Sequence, residues 1–572
     1  MTILTARYKE EAQFLLAGDF TSFVKGSKTQ ADAMILTHPP GYPIVMAVIY
    51  KISGNSDAAL RLFQIGCEAV TSVLVFLIAA RLIPRGAALL AGLLAAVAPQ
   101  LAFRSLVILP ESLSSLPLVA AILLIVKAVE DGSVRKMILA GGLIGVSCWL
   151  RADSLLLPVF VCAMLPLLLP RGQWRRYAMA VIGGAAIVIA PMTMRNALVF
   201  RSFVPVALGT GVTLCQGIAD YDVEQRFGLS PTDVGTNVQE AQWAGRPDYA
   251  AELYRPDGIE RERARIARAW SVIRSDPTWF VGTMVRRMVM MLKYEPVSII
   301  SAEPTVLHSL ETTKDTPLVW SRSPHELLSE SQISGSARAS LTGESDVTLR
   351  LESDETANAI QLVTNPIPVR QNSDYVLTLP VKPQQGRVSI TLRPVGRSQI
   401  LASAALPDSL ERVPYTNAFA PAIQIPFVSL NHDQVQLAIA NVESPAPRAI
   451  LDIGRTQLVE LGPASFLWTR YPRILLKTVQ KLFVARYFLP LTIIGVILLA
   501  VHRRRVALTL ILTLPLYYLF SHAPLHFEYR YILPVYFFWF ILAGLAIYWM
   551  GLMFMRLVSW LAGAYARTKA AP

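Results

Sequence analysis

The stretch Leu533-Pro-Val-Tyr-Phe-Phe-Trp-Phe-Ile-Leu-Ala-Gly-Leu-Ala-Ile-Tyr-Trp-Met-Gly-Leu-Met-Phe-Met555 contains no charged residue. A helix needs about 20 apolar residues to cross the hydrocarbon layer of a membrane, and this run is long enough. Further apolar runs lie at 57–80, 87–107, 111–127, 137–150, 154–170, 177–195, 484–501 and 506–520. Together the nine runs predict a polytopic α-helical membrane protein.

The composition of the whole chain excludes an ordinary soluble enzyme. Of its 572 residues, 53% are hydrophobic and only 16% are charged, which is far from the balance of a globular protein. The net charge of +13 comes largely from lysines and arginines beside the apolar runs. It therefore indicates membrane topology, and no nucleic-acid partner is expected. Three of the four cysteines lie inside apolar runs, so we expect no disulfide framework.

The positions of lysine and arginine predict the orientation, because short cytoplasmic loops carry the basic excess. Alternate loops and the C-terminal tail hold fourteen of these residues, whereas the short loops between them hold only Arg104, Arg151 and Arg530. The richer set then faces the cytoplasm together with the C-terminus, and nine crossings leave residue 1 outside. We expect a multi-pass protein of the cell (inner) membrane.

The N-terminus does not fit this topology. Residues 1–33 contain neither a spanning helix nor a signal-like segment, although an extracytoplasmic start needs one. We therefore expect that a first transmembrane helix is missing from this sequence. The alternative is that 34–53 spans the membrane, but three prolines interrupt this segment and the charge assignment would be inverted.

The chain divides by composition into five predicted segments. Residues 301–462 alternate between apolar and polar side chains, as in Val347-Thr-Leu-Arg-Leu351 and Val388-Ser-Ile-Thr-Leu392, and this period of two predicts a β-sandwich. The segments are an extracytoplasmic first loop (1–56), a transmembrane core (57–195), an extracytoplasmic loop with an interfacial amphipathic helix (196–300), the extracytoplasmic β-sandwich (301–462), and C-terminal transmembrane helices with a cytoplasmic tail (463–572).

Polar residues gather at the outer ends of the predicted helices. Such groups are costly in lipid unless they pair or line a cavity. Guanidinium groups bind phosphate oxygens bidentately and a carboxylate can accept a proton, so this set suits an anionic lipid headgroup. The alternative is that each arginine only extends to the interface without a ligand. The residues are Arg104, Glu111, Arg151, Asp153, Arg195, Asn196, Glu528, Arg530 and Tyr531.

Five motifs in sequence resemble the bacterial GT-C glycosyltransferases of families 39 and 83, which include relatives of the protein O-mannosyltransferases and of the aminoarabinose transferase of lipid A. The resemblance covers 1–300 and 484–555. The motifs are His38-Pro-Pro-Gly-Tyr-Pro43, Leu109-Pro-Glu-Ser112, Leu150-Arg-Ala-Asp153, Ala190-Pro-Met-Thr-Met-Arg-Asn196 with Phe203-Val-Pro205, and Glu528-Tyr-Arg-Tyr531 with Pro534.

The resemblance implies transfer of a sugar, with inversion, from a polyprenyl-phosphate donor to a glycan, lipid or protein acceptor outside the cytoplasm. It also implies a general base in the first outer loop, four positions before Tyr8, where this chain has Leu4. Leucine cannot accept a proton. Either the acid was lost with a missing first helix, which we favour, or the chain is catalytically silent, or another acid replaces it. The candidate replacements are Glu10, Glu11, Asp19 and Asp32.

The remaining roles follow from charge and from the resemblance. Glu111 is the candidate catalytic carboxylate, positioning the acceptor or a divalent cation, and metal dependence stays open. Arg104, Arg151, Arg195 and Arg530 are expected to neutralise the departing phosphate. His38 either donates to that phosphate or caps a helix. Candidate substrate-binding residues are Tyr42, Asp153, Asn196, Glu528 and Tyr531, although tyrosine is also common at membrane interfaces.

The predicted β-sandwich resembles the jelly-roll carbohydrate-binding modules through Tyr375-Val-Leu-Thr-Leu379, Gly386-Arg-Val-Ser-Ile-Thr-Leu392 and 451–461. It either holds a glycan acceptor or serves as a structural lid. Two other functions remain open for the whole chain. One is a glycolipid transporter or flippase, which predicts ionisable residues near the bilayer midplane. The other is a catalytically silent glycan-binding membrane protein.

Overall fold

The computed structural model describes residues 3–19, 36–170, 172–293, 306, 308, 310, 316–343, 347–356, 359–397, 399–406, 422–442, 448–464 and 467–569. The chain forms two compact units. One comprises Met1–Ile299 together with Val479–Pro572 and is helical, and the other comprises Ile300–Thr478 and is built mainly of strands.

The first part of the helical unit contains thirteen α-helices among the described residues, several of which begin at a proline, a residue favoured in the first helical turn. They are α1 (Ile3–Leu16), α2 (Gly41–Ser53), α3 (Asp57–Leu82), α4 (Arg85–Val97), α5 (Pro99–Leu106), α6 (Pro110–Asp131), α7 (Val134–Leu150), α8 (Leu157–Leu168), α9 (Trp174–Phe200), α10 (Thr210–Ala219), α11 (Asp233–Ala244), α12 (Gly258–Ser275) and α13 (Pro277–Leu292).

The strand unit is a β-sandwich, as the alternating sequence predicts. All its strand pairs are antiparallel, in sheets of order β1-β14-β7-β11, β10-β9-β12-β5-β2 and β3-β4-β13-β8, with β6 beside β12. The strands are β1 (Leu318–Arg322), β2 (Ser331–Ile333), β3 (Arg338–Thr342), β4 (Thr348–Glu352), β5 (Ile360–Thr364), β6 (Ile367–Pro368), β7 (Ser373–Leu379), β8 (Val381–Gln385), β9 (Arg387–Pro394), β10 (Ala402–Leu406), β11 (Ile423–Val428), β12 (Gln434–Val442), β13 (Ile450–Ile453) and β14 (Thr456–Pro463).

The core of the β-sandwich comes from alternate residues of these strands. In β9, for example, Val388, Ile390 and Leu392 are buried, and their neighbours are more exposed. A short helix, α14 (Pro324–Ser329), begins with a capping box between Ser323 and Glu326. The helix α15 (Arg470–Gln480) follows the last strand. The C-terminal part of the helical unit then contains α16 (Ala485–Val501), α17 (Arg505–His522) and α18 (Leu533–Lys569).

All nine predicted membrane segments are helical, but fewer of them pass as complete spans. Five helices in the described residues are long and apolar enough to cross a membrane, or up to seven if each of two bent helix pairs counts as one span. One such pair is α4 and α5, which are bent by 44° where Pro99 interrupts helical hydrogen bonding. The helices α7 and α8 have 17 and 12 residues and are shorter than a typical span. A polytopic helical membrane protein is confirmed, with five to seven candidate spans instead of nine.

Small residues allow α7 and α9 to pack closely. A Cβ atom on Gly141 would overlap the carbonyl oxygen of Val181, and one on Gly184 would overlap that of Ile138. Backbones that approach in this way are typical of packed membrane helices. The contact lies near the middle of α7, and Arg151 follows the last turn of this helix.

The helix α12 is rich in charged residues, and two of its arginines, Arg261 and Arg265, are buried. Arg265 is fully buried, with Nε 2.6 Å from Oε1 of Glu240, and Arg261 lies 2.8 Å from Oε2 of the same carboxylate. Both arginines therefore hold α12 against α11. Within the predicted amphipathic segment, α13 contains the buried Arg287, while the interfacial position of this helix stays a prediction.

Candidate active site

A cavity of about 290 Å³ in the helical unit contains polar residues from distant parts of the chain. A second cavity, of about 480 Å³, is larger but is lined almost wholly by apolar side chains from α3, α4 and α5, with Glu68 as its carboxylate. The smaller cavity is therefore the candidate active site. Six of the residues singled out from the sequence line it, namely His38, Glu111, Arg151, Asp153, Arg530 and Tyr531.

Helix and turn geometry explain why these side chains converge. Glu111 lies in the first turn of α6, after Pro110, where a carboxylate interacts favourably with the helix dipole. Arg151 follows α7 in an extended conformation, and Asp153 lies in the short 3-10 turn Ala152–Ser154. Arg530 lies in a second 3-10 turn before α18. Helix ends and turns thus supply the charged groups of the site.

The central feature is a buried ion-pair cluster. Oε1 of Glu111 lies 3.1 Å from Nη1 of Arg151 and 3.6 Å from Nη1 of Arg530. Oε2 of Glu111 has no hydrogen-bond partner among the described residues. Glu111 thus holds two guanidinium groups at one wall of the cavity. We call Glu111, Arg151, Asp153, Glu528 and Arg530 the arginine–carboxylate cluster.

Flanking groups hold both arginines of the cluster in position. Nε of Arg151 lies 3.0 Å from Oδ2 of Asp153, and Nε of Arg530 lies 2.6 Å from Oε2 of Glu528. The guanidinium carbon of Arg151 also lies 5.0 Å from the ring centroid of Tyr531, a cation–π contact. Since a guanidinium has five N–H donors, each arginine retains donors for a further anion.

Electrostatics determine the charge states of Arg151 and His38. Burial would lower the pKa of Arg151, but Asp153 and Glu111 raise it above its ordinary value, so the guanidinium stays charged. Burial, aided by Arg151, Arg7 and Arg530, lowers the pKa of His38 to about 4. His38 is therefore neutral at physiological pH and could offer a phosphate one N–H group but no positive charge.

Five other predicted site residues lie outside the cavity lining, namely Tyr42, Arg104, Arg195, Asn196 and Glu528. Arg104, in α5, interacts electrostatically with Glu111, Glu528 and Arg530, so it adds positive potential without lining the cavity. Arg195 donates from Nη1 to Oδ1 of Asn196 at 2.7 Å. Asn196 in turn donates from Nδ2 to the carbonyl oxygens of Val204 and Val206 at 2.9 and 3.1 Å. Arg195 and Asn196 thus brace the chain after α9.

Tyr42 is also absent from the cavity lining. It is fully buried in α2, and its hydroxyl donates to Oε1 of Gln64 at 2.8 Å. Nε2 of Gln64 donates to the carbonyl oxygens of Ser105 and Val107. The contact therefore ties α2 and α3 to the loop before Glu111.

Among the described residues, the candidate replacement acids Glu10, Glu11 and Asp19 do not line the cavity, whereas Leu4 does. Glu10 is exposed on α1, and Asp19 lies just after that helix. Asp32 falls outside the described residues. Glu11 is buried, and neither carboxylate oxygen has a hydrogen-bond partner among the described residues. Burial raises the pKa of Glu11 to about 8, so this carboxyl group is mainly protonated at pH 7.

The cavity also contains residues that the sequence reasoning did not select. They include Thr210 and Thr213 of α10. Glu262 holds the start of this helix, because its Oε1 accepts hydrogen bonds from the backbone N–H groups of Gly209 and Gly211 at 2.9 and 2.6 Å. His522 and His526 line the cavity too. The segment Ser521-His-Ala-Pro-Leu-His526, with two of the chain's seven histidines, was the available sequence signal.

The side chains of the cluster do not suit a cation. Among the described residues, no group of three or more His, Cys, Asp and Glu side chains is arranged to hold a metal ion. Two guanidinium groups already lie beside Glu111 and would repel a divalent cation there. The expected role of Glu111 in holding a cation therefore does not fit its surroundings.

Residues 37–194 match the family model described as dolichyl-phosphate-mannose-protein mannosyltransferase. This match confirms the resemblance to GT-C glycosyltransferases for that part of the chain and includes the segment from His38 to Asp153. No curated protein sequence matches the chain significantly.

Solved structures show weaker similarities. ArnT from Cupriavidus metallidurans in the apo state has 16% identity and a TM-score of 0.29, over 50% of this chain and 59% of that one. The arabinosyltransferase EmbB from Mycobacterium smegmatis has 13% identity and a TM-score of 0.19, over 79% of this chain and 65% of that one. The CBM22-1 xylan-binding domain of Xyn10C from Paenibacillus barcinonensis has 12% identity and a TM-score of 0.21, over 26% of this chain and 98% of that one.

Proposed function

We propose that this chain, which carries a domain of the dolichyl-phosphate-mannose-protein mannosyltransferase family at 37–194, is a membrane glycosyltransferase of the GT-C type. It transfers a sugar from a polyprenyl-phosphate donor to an acceptor outside the cytoplasm, with inversion at the anomeric carbon. One observation carries the proposal: Arg151 and Arg530 converge on Glu111 in one cavity at the ends of apolar helices.

The donor phosphate is the natural ligand of this arrangement. As the bond between the sugar and the phosphate breaks, negative charge grows on the departing phosphate oxygen. Arg151 and Arg530, held in advance by carboxylates, stabilise that charge without reorganising, and this is the kind of electrostatic term that contributes most to catalysis. Their ion pairs are in place before the donor arrives, so little side-chain entropy is lost on binding.

The membrane setting matches the donor chemistry. A polyprenyl chain is apolar and stays in the lipid, and its phosphate lies at the interface. The cluster lies at helix ends and in turns, where a charged headgroup is reached from the bilayer. We place this end of the helical unit on the extracytoplasmic side of the inner membrane and the C-terminus in the cytoplasm, in accordance with the basic residues of the alternate loops.

Transfer of label in membranes tests the proposed function. Membranes containing the full chain are incubated with polyprenyl-phosphate donors that carry a labelled hexose or pentose. Label is expected to leave the donor and to appear in a glycan, lipid or protein fraction. Arg151→Ala removes most of this transfer, whereas Arg338→Ala, an exposed residue of β3, leaves it unchanged.

Two results would contradict the proposal. Equal rates of sugar transfer by the wild type and by Arg151→Ala would show that Arg151 takes no part in the reaction. Label that crosses the bilayer but stays on polyprenyl phosphate would identify a transporter instead.

A further inference from the structure

His526 and Asp220 form a hydrogen-bonded pair at the candidate active site. Nδ1 of His526 lies 2.8 Å from Oδ2 of Asp220, and His526 lines the same cavity as the arginine–carboxylate cluster. Since a carboxylate only accepts, Nδ1 carries the proton in this pair. The other ring nitrogen, Nε2, is then the proton acceptor of the neutral imidazole.

The pair is held firmly by its surroundings. The N–H of His526 donates to the carbonyl oxygen of Thr213 at 2.6 Å. The buried Arg287 donates to the carbonyl oxygens of Ala523 and Gly217. A Cβ atom on Gly217 would lie 2.7 Å from the backbone nitrogen of His526, so α10 approaches this segment as closely as glycine permits. Packing and hydrogen bonds thus fix the backbone on both sides of the pair.

The transfer reaction needs a proton acceptor in the cavity, and several acidic positions of the chain are poorly suited to that role. Leu4 lines it at the position where the resemblance places a carboxylate. Glu11 is mainly protonated at pH 7 and does not line the cavity. Glu111 is engaged by two guanidinium groups. An imidazole oriented by a carboxylate is the pattern of a general base that is ready to act near neutral pH.

We propose that His526 is the general base of the transfer reaction and that Asp220 is its positioning residue. This inference rests on the proposed function. Nε2 of His526 takes the proton from the acceptor hydroxyl as the acceptor oxygen forms its bond to the anomeric carbon of the sugar. The bond between that carbon and the phosphate oxygen breaks, and its electron pair leaves with the polyprenyl phosphate, beside Arg151 and Arg530.

The charged groups that face His526 support this role. They are Asp220 from the end of α10, Arg287 from α13 and Glu528 from the same segment of chain. The hydrogen bond to Asp220 raises the pKa of His526, while burial and Arg287 oppose the rise. The reaction requires neutral imidazole, so the rate is expected to fall as the pH drops through this pKa. Removing the charge of Asp220 shifts that fall to lower pH.

The test measures sugar transfer by the full chain in membranes, as a function of pH and donor concentration. His526→Gln is expected to lower kcat by about 10²- to 10⁴-fold with little change in KM for the donor. Asp220→Asn lowers kcat less and moves the acid limb of the pH profile to lower pH. In His526→Ala, added imidazole restores part of the rate. The matched control is His325→Gln, at an exposed histidine of α14 in the strand unit.

The outcomes separate this inference from the proposed function. Transfer by His526→Gln at the wild-type rate, with the pH profile of Asp220→Asn unchanged, would overturn the role of the pair and leave the glycosyltransferase in place. Loss of rate without rescue by imidazole and without a shifted pH profile would show that the pair is structural. Absence of transfer by the wild type would overturn both proposals.

Discussion

Oε1 of Glu111 lies 3.1 Å from Nη1 of Arg151, and the two side chains are only 6% and 15% exposed. One residue opens α6 and the other follows α7, so this ion pair joins two helix ends at the wall of the cavity. Burying two charges is costly unless each has a partner. The pair therefore couples the stability of the helical unit to the geometry of its site.

Glu111→Gln should reduce both stability and transfer. The substitution keeps the shape of the side chain but leaves Arg151 and Arg530 without their shared counter-charge. Breaking a buried ion pair typically costs about 3–5 kcal/mol. Thermal unfolding in detergent measures the loss, and Glu130→Gln, which breaks an exposed pair with Arg81, should cost less than about 1 kcal/mol. Equal costs for the two variants would argue against a buried cluster.

Arg195→Ala should weaken the fold around α9 more than it weakens binding of the donor. Arg195 contacts Asn196 and the ring of Phe200, and it does not line the cavity. We expect a lower unfolding temperature with a KM for the donor within about twofold of wild type, a change of less than about 0.5 kcal/mol. A large rise in KM at unchanged unfolding temperature would instead place Arg195 on the phosphate.

Glu11 should make stability depend on pH. Its pKa is about 8 in the folded chain, against an ordinary value of 4.5. Between these two values the folded state binds more protons than the unfolded state, so the free energy of unfolding falls as the pH rises from 4.5 to 8. Glu11→Gln should raise the unfolding temperature at pH 8 and have a smaller effect at about pH 5. Glu224→Gln, at an exposed glutamate remote from Glu11 in the chain, should show no such difference, and a pH-independent effect of Glu11→Gln would refute the assignment.

The contact between α7 and α9 should tolerate no added methyl group. In Gly184→Ala the new Cβ would overlap the carbonyl oxygen of Ile138, whereas in Gly183→Ala it would meet no atom within 4 Å. Overpacking of this kind typically costs about 1–3 kcal/mol. Thermal unfolding of the two variants compares them directly, and we expect only Gly184→Ala to lower the midpoint. If both melt like the wild type, the helices are not in close contact.

Local sequence patterns were sufficient for much of the fold. Apolar runs located the membrane helices, and period-two alternation located β4 and β9, because each pattern reports the environment of one element at a time. The sequence predicts one span each for α7 and α8, and these helices, with 17 and 12 residues, are shorter than a typical span. Hydropathy identifies an apolar segment, but it does not show where a proline or a short turn ends the helix within it.

Only those residues of the candidate site that lie at the ends of membrane helices were predictable from the sequence. Glu111, Arg151, Asp153 and Arg530 stand beside predicted membrane segments, so their common location followed from the order of the helices. The pair of Asp220 and His526 joins residues separated by 306 positions. It depends on the packing of α10 against the chain after α17, and no periodicity in the sequence reports such a contact.

The central claim, that Arg151 and Arg530 bind the phosphate of a lipid donor, is tested most directly by equilibrium binding of polyprenyl phosphate to the full chain in lipid nanodiscs. The account predicts that Arg151→Ala with Arg530→Ala raises Kd at least about tenfold, which corresponds to about 1.4 kcal/mol, while Arg338→Ala leaves Kd unchanged. Equal affinity of the double variant and the wild type, with both folded, would contradict it.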